Sequence, residues 1–250
     1  ILKFGKRFSK QMDKRLTIIL ALKGRHKFTE RWLNFANKHL RLFKILIADG
    51  SEKNDYYNFD KTKFNLNVEY RTFPTDKDIS YFVKKLQNCS QEVNSKYILY
   101  ANNDDLLFEN EIINILDFLD NNNSHAAARG EIYDFSLSSF NEVYGNIIGL
   151  KRFIIHHSLE SDNSLERLHE FAQKRHDLMH CIVRKNNFDE ILKISIENKF
   201  FDLTSFSLFY NYYLVTSGKI FCSKNLYMLH QNHKFMLSKN MKLMSIKNSG

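Results

Sequence analysis

Tyr97-Ile-Leu-Tyr-Ala-Asn-Asn-Asp-Asp-Leu-Leu107 runs from five apolar or aromatic residues straight into two amides and two carboxylates. Its first five residues read as a short strand buried on both faces. Adjacent acids at the end of a buried strand are costly unless a cation or hydrogen bonds compensate them. A hard divalent ion with oxygen ligands, Mg²⁺ or Mn²⁺, supplies that compensation and can bridge to phosphate groups. The plainer alternative is that Asp104 or Asp105 caps the following helix.

Working back from this stretch, strand and helix patterns alternate. Leu16-Thr-Ile-Ile-Leu-Ala-Leu22 is an apolar run, and Phe28, Trp32, Phe35, Ala36 and His39 follow at helical spacing. Phe43 to Ala48 is a second strand, stopped by the turn sequence Asp49-Gly50-Ser51. Asn67 to Arg71 is a third. Asp78 is placed to cap a helix whose apolar residues Ile79, Phe82, Val83 and Leu86 recur at i, i+3, i+4 and i+7. A helix over about Glu109 to Asp120 follows the opening stretch. This βαβαβ series implies a mostly parallel sheet with helices on both faces. Such sheets bind ligands at the carboxyl ends of their strands. Three polar clusters fall there: Lys23-Gly24-Arg25, Asp49-Gly50-Ser51 and Asn102 to Asp105.

The second half is less regular. Ala126 to Tyr133 and Leu178 to Arg184 read as strands; Ser164 to Gln173, Asn187 to Ile194 and Phe201 to Thr216 read as helices. Ser217-Gly218 closes the last helix. Lys219 to Cys222 and Leu226 to Leu229 read as a final pair of strands. No internal repeat and no linker interrupts the chain.

Composition sets the outer bounds. With 43% hydrophobic and 26% charged residues, 250 residues can supply a full core. One proline (Pro74) and eight glycines argue against disorder and against a many-turned β-sandwich. Net charge is +9, concentrated in residues 1–15 and in a tail from Lys234 that contains no acid. Basic ends of this kind are either solvated or dock on anionic lipid heads. No zinc-finger, RRM, KH or helix-turn-helix pattern accompanies the charge, so no nucleic-acid partner is expected. Cys89, Cys181 and Cys222 are far apart without CxxC spacing, as in a reducing compartment with free thiols. No apolar run reaches the roughly 18–20 residues that span a bilayer. A cytoplasmic location is expected, with peripheral contact at the inner face of the membrane. Dinucleotide, Walker, His-Glu-x-x-His and Gly-x-Ser-x-Gly patterns are all missing.

Over roughly the first 130 residues the chain resembles the family 2 glycosyltransferases, inverting enzymes with the GT-A fold. Three segments carry the resemblance in order and spacing: Leu16 to Arg25, Ile45-Leu-Ile-Ala-Asp-Gly-Ser51, and Tyr97 to Leu107. The wording Leu-Lys-Gly-Arg and Ala-Asp-Gly-Ser is similar to a bacterial subgroup acting on surface polysaccharides. The resemblance implies an α/β, Rossmann-like three-layer sandwich spanning 16–233, with a nucleotide-sugar half (16–130) and an acceptor half (131–233). A basic extension (1–15) and a basic tail (234–250) flank it. It implies a nucleoside-diphosphate sugar donor, UDP- or GDP-linked, and a glycan or lipid-linked acceptor.

Roles follow by position. Ala21, Leu22, Lys23 and Arg25 line the nucleotide pocket, Asp49 bonds the base or ribose, and Asp78 sits near the base. Asn102 stands where the family places an acid; its amide can still bond a ribose hydroxyl, with one negative charge fewer. With Asn103 it completes the donor side. Asp104 and Asp105 bind Mn²⁺ or Mg²⁺ and the diphosphate, with His230 as a third metal ligand. Asp202 is the base that takes the acceptor's proton, with Asp177 the runner-up; capping of a helix is the alternative for Asp202. Arg129, Arg175 and Arg184 are candidates to offset diphosphate charge. Competing readings are a catalytically inactive member that binds nucleotides or glycans, and a nucleotidyltransferase.

Overall fold

The computed structural model describes residues 12–138, 143–153, 157–174, 177–200 and 202–232. Most of the basic N-terminal extension, the tail, His156, Arg175, His176 and His233 lie outside these residues.

The first half follows the alternation expected. Strands β1 (Leu16–Leu22), β2 (Lys44–Asp49), β3 (Val68–Thr72) and β4 (Tyr97–Ala101) alternate with helices α1 (His26–His39) and α2 (Ile79–Gln91). They lie side by side, all parallel, in the order β3-β2-β1-β4. Strand periodicity explains why apolar runs, not alternating ones, were seen. On β1, Ile18 and Leu20 face one core with Trp32 and Leu33 of α1, while Ile19 faces a second core with Val83 and Leu86 of α2. Each face is thus covered by helices, giving three layers.

The second half extends the sheet. Its elements are β5 (Asp105–Leu107), α3 (Glu109–Asn121), β6 (His125–Leu137), β7 (Ile147–Arg152), α4 (Ser164–Lys174), β8 (Ile182–Arg184), α5 (Lys185–Glu197), α6 (Leu203–Ser217) and β9 (Lys219–Gln231). Among the described residues the strands continue past β4 as β8-β6-β9-β5, with β7 on the edge of β6. β5, β7 and β8 run antiparallel to their neighbours. Helix α3 joins the first core, and α5 and α6 the second, where Phe188, Ile191, Phe206 and Tyr210 are buried. The aromatic run of α6 is therefore first a core stripe.

Four readings of the sequence need correction. The strand expected over Leu178 to Arg184 shrinks to Ile182–Arg184, because Asn211 takes the Leu178 N–H and the Asp177 carboxylate takes that of Met179. The final pair of strands is one strand, β9, which pairs in parallel with β6 through irregular register. Ser223-Lys-Asn225, turn-like in composition, is a bulge within it, anchored by Glu111, which accepts from the Asn225 amide at 2.9 Å and from Ser223. Gly218 does close α6, but with φ 177 it is extended; glycine is required because a Cβ there would lie 2.7 Å from the Ser124 carbonyl oxygen. Arg184 is committed to the carbonyls of His125, Leu119 and Asn122, and Arg129 is buried and donates to the Asp177 carbonyl, so both brace the fold.

Gly130 marks the tightest approach of β6 to the bulge. A Cβ there would meet the Asn225 carbonyl oxygen at 2.6 Å and Tyr227 Cβ at 2.7 Å. Gly130→Ala is expected to destabilise the fold by about 1–3 kcal/mol, read as a lower urea midpoint; an unchanged midpoint would show that the bulge yields freely.

Candidate active site

The carboxyl ends of β1 and β4 open on a cavity of about 300 Å³. Ala21, Leu22, Lys23 and Arg25 form one wall and Asn102 and Asn103 another. The loop Asp76 to Ile79 closes the side, and Leu203, the first residue of α6, faces in from the second half.

Backbone geometry shapes the β1 wall. Gly24 and Arg25 both adopt positive φ (63° each), which turns the chain sharply into α1. The Gly24 N–H is held by Ser51 Oγ at 2.7 Å. The Arg25 guanidinium lies 4.2 Å above the Phe28 ring centroid and donates to Asp104 Oδ2 at 2.9 Å. Asn103 reaches back to Thr29 Oγ1 at 3.0 Å, tying the acidic loop to α1.

The two carboxylates differ in setting. Asp104 is bridged to Arg25 at the cavity's edge, whereas Asp105 begins β5 and is fully buried. β5 pairs with β9 so that Asp105 stands opposite His230, its partner in the ligand set that the resemblance implies; the strand that sets the two side by side, β5, was not expected. Asn102 donates its amide to Asp105 Oδ2 at 3.2 Å and accepts from Tyr100. His180, not anticipated, places Nδ1 3.8 Å from Asp105 Oδ2. Burial raises the Asp105 pKa, opposed chiefly by His180 and reinforced by Asp104. His230 Nδ1 lies 2.9 Å from Asp134 Oδ1. Burial, the largest single influence, pulls His230 down, but the charge of Asp105 and the bond to Asp134 outweigh it, leaving the pKa above the ordinary value.

Among the described residues no group of three or more His, Cys, Asp or Glu side chains is gathered closely enough to hold a metal ion by itself. Yet Asp105 Oδ1 is buried with no hydrogen-bond partner among them, and Asp104 stands beside it. Two carboxylates, one with an unsatisfied oxygen, suit an ion such as Mg²⁺ or Mn²⁺ that takes its remaining ligands from phosphate and water.

Asp49 is not on the cavity wall. Its Oδ1 accepts from the N–H (2.9 Å) and hydroxyl of Ser51, and its Oδ2 from the Tyr57 N–H (3.0 Å) and Tyr70 OH (2.6 Å). A carboxylate offers about four acceptor sites, and here the chain fills them all. Burial pushes the Asp49 pKa up, but these bonds outweigh it and hold the group below the usual carboxylate range. Asp78 lines the cavity and caps α2, accepting from the Ser80 N–H at 2.8 Å. Two residues away, unnoticed in the sequence, Asp76 forms a buried ion pair with Lys85 on the same wall. Burial drives Asp76 up and Lys85 down, and the mutual attraction opposes both.

Asp202 caps α6, accepting from the Ser205 N–H at 2.8 Å and the Ser205 hydroxyl at 2.7 Å, which lowers its pKa. It immediately precedes the cavity-lining Leu203. Asp177 lies at the turn before β8.

The three-layer sandwich with its strand-end cavity is a GT-A-like fold. Its solved counterparts include S. aureus TarS, a glycosyltransferase. Residues 1–349 of TarS superpose with a TM-score of 0.56 at 12% identity, over 87% of this chain and 60% of that one. A longer TarS gives 0.58 at 14%, over 92% and 39%, and the 1–349 form in complex with UDP-GlcNAc gives 0.54 at 14%, over 88% and 59%. This chain therefore spans 39–60% of those TarS chains. No protein-family model matches the sequence, and no curated protein matches it. Among the described residues no helix is long and apolar enough to cross a membrane.

Proposed function

We propose that the chain transfers a sugar from a nucleoside-diphosphate sugar to a hydroxyl of a glycan or lipid-linked acceptor, with inversion at the anomeric carbon. The observation that carries this reading is the cavity at the ends of β1 and β4, whose wall residue Arg25 is bonded to Asp104 behind it, in a fold shared with a TarS structure in complex with UDP-GlcNAc. Ala21 to Arg25 line the nucleotide, and Asn102 offers its amide to a ribose hydroxyl. Asp104 and Asp105, with His230, hold Mn²⁺ or Mg²⁺, which when bound offsets the charge of the departing diphosphate. Lys23 and Arg25 add positive charge on the same wall. Asp202, beside the cavity on α6, takes the acceptor's proton; its bonds to Ser205 hold it ionised at neutral pH. Basic residues at the chain ends keep the enzyme near a lipid-linked acceptor at an anionic surface.

A second reading, binding without turnover, is favoured by two features: the amide at position 102 and the Arg25 guanidinium already paired with Asp104. A thermal-shift screen of nucleotide sugars with and without Mn²⁺ separates the two when joined to a turnover assay. A ligand selective for the native state raises apparent stability by roughly 3 kcal/mol at a hundredfold excess over its Kd. A Mn²⁺-dependent shift with one donor, plus release of its nucleoside diphosphate, supports transfer. A shift without turnover supports the binding module, and no shift with any nucleotide sugar contradicts both.

A further inference from the structure

Between α2 and α5, beside the cavity, lies a groove of about 540 Å³. Asp78 lines both, so groove and cavity adjoin. The chain links them a second time: Phe200 lines the groove, Leu203 lines the cavity, and Asp202 stands between them in sequence. Tyr81, 39% exposed, and Phe200 give the groove aromatic surface. Lys84 lines it from α2 and Lys199 from the end of α5. Lys84 Nζ meets only a neutral partner, the Gln87 amide oxygen at 2.8 Å, and Lys77 Nζ lies 5.9 Å from the Tyr81 ring centroid. Among the described residues Asp78 is the one acid on the lining, and its carboxylate is committed to Ser80 at the start of α2.

Lys199 is exposed and holds φ 50°, in the left-handed region. It closes α5: its N–H bonds the Ile196 carbonyl at 3.2 Å, and the Phe200 N–H bonds that of Ser195 at 3.3 Å. Glycine is the usual residue at this point of such a helix ending, because a Cβ there crowds the backbone. A lysine held against its conformational preference points to a use for its side chain.

Resting on the sugar-transfer reading, we infer that this groove is a subsite for the acceptor, and that it takes a glycan carrying oxyanions, phosphate or carboxylate. Lys199 and Lys84 offset the charge of those groups. Tyr81 and Phe200 cover apolar faces of the sugar rings. A chain lying in the groove brings its end to Asp202, where groove and cavity meet. A neutral glycan gains only the ring contacts.

Equilibrium binding of the whole chain to phosphorylated maltoheptaose, oligogalacturonate of the same length and unmodified maltoheptaose tests this. The native protein is expected to bind the charged chains about fivefold more tightly than the neutral one, an advantage that fades as added salt screens it. Lys199→Gly suits the left-handed backbone, so it should melt no lower than the native protein while losing most of that advantage. Lys199→Arg should keep it. Lys38 is exposed on α1, which packs on the other face of the sheet, and Lys38→Gln should bind as the native protein does. That control separates the groove from the general positive charge of the chain. A preference for only one of the charged chains would name the oxyanion and support the subsite. Equal affinity for charged and neutral chains would overturn it, as would an undiminished preference in Lys199→Gly or an equal loss in Lys38→Gln. In those cases nucleotide-sugar binding and turnover still stand. Failure of every nucleotide sugar to bind the native protein would remove the transfer reading, and this inference with it.

Discussion

Asp104→Asn is expected to lower sugar transfer at least about 100-fold while leaving the fold intact. The site already carries an amide at position 102, so Asp104 and Asp105 supply its acidic charge at the end of β4. Asp105 is fully buried and bonded to the Asn102 amide, which leaves Asp104, bonded to Arg25, as the carboxylate nearer the cavity wall. Removing its charge takes away a grip on the cation and frees the Arg25 guanidinium to move. The structural cost is kept small because the asparagine amide oxygen can still accept from Arg25, whose side chain is about a third exposed. Donor turnover and a thermal melt read the two effects separately. Turnover within threefold of the native enzyme would remove Asp104 from the reaction.

Asp49→Ala is expected to behave in the opposite way, costing about 4 kcal/mol of stability. Its carboxylate collects the Ser51 and Tyr57 N–H groups and the Ser51 and Tyr70 hydroxyls, and truncation strands these donors in a buried site. Urea unfolding at neutral pH measures the loss. Acid adds a second signature. The folded pKa of Asp49 is below its unfolded value, so its contribution is fully present above about pH 3.9 and fades as pH falls through the lower folded value. The stability gap between native protein and variant should therefore narrow in strong acid. A variant as stable as the native protein at pH 7 but unable to bind nucleotide would return Asp49 to base recognition.

The architecture of the first 130 residues was legible because parallel strands covered on both sides must be short apolar runs, as Leu16–Leu22 and Tyr97–Ala101 are. Their polar ends mark the sheet edge where a cavity opens, and Ala21, Leu22, Lys23, Arg25, Asn102 and Asn103 line it. Other parts of the site left weaker traces. Asp76 was overshadowed by Asp78, whose position before the apolar stripe of α2 marks a cap. Lys85 did leave a signal, a charge among Phe82, Leu86 and Cys89 on the helix's buried face, which is rarely tolerated without a partner. His180 sits in an apolar stretch that reads as core. Strand β5 has three residues, too few for a period, so the backbone pairing that sets Asp105 opposite His230 left no pattern, and only the resemblance joined the two. Exposure of all six β7 residues removed the alternation by which strands are recognised.

Paramagnetic resonance of Mn²⁺ tests the joint role of the acidic pair and the diphosphate most directly. The free-ion signal should fall only when protein and UDP are both present, because the protein's carboxylates and the phosphates together complete the ion's ligand set. Asp104→Asn should restore the signal seen with UDP alone. A free-ion signal that protein and UDP together lower no more than UDP alone, or one lowered equally by the native protein and Asp104→Asn, would contradict a cation held between Asp104, Asp105 and a donor diphosphate.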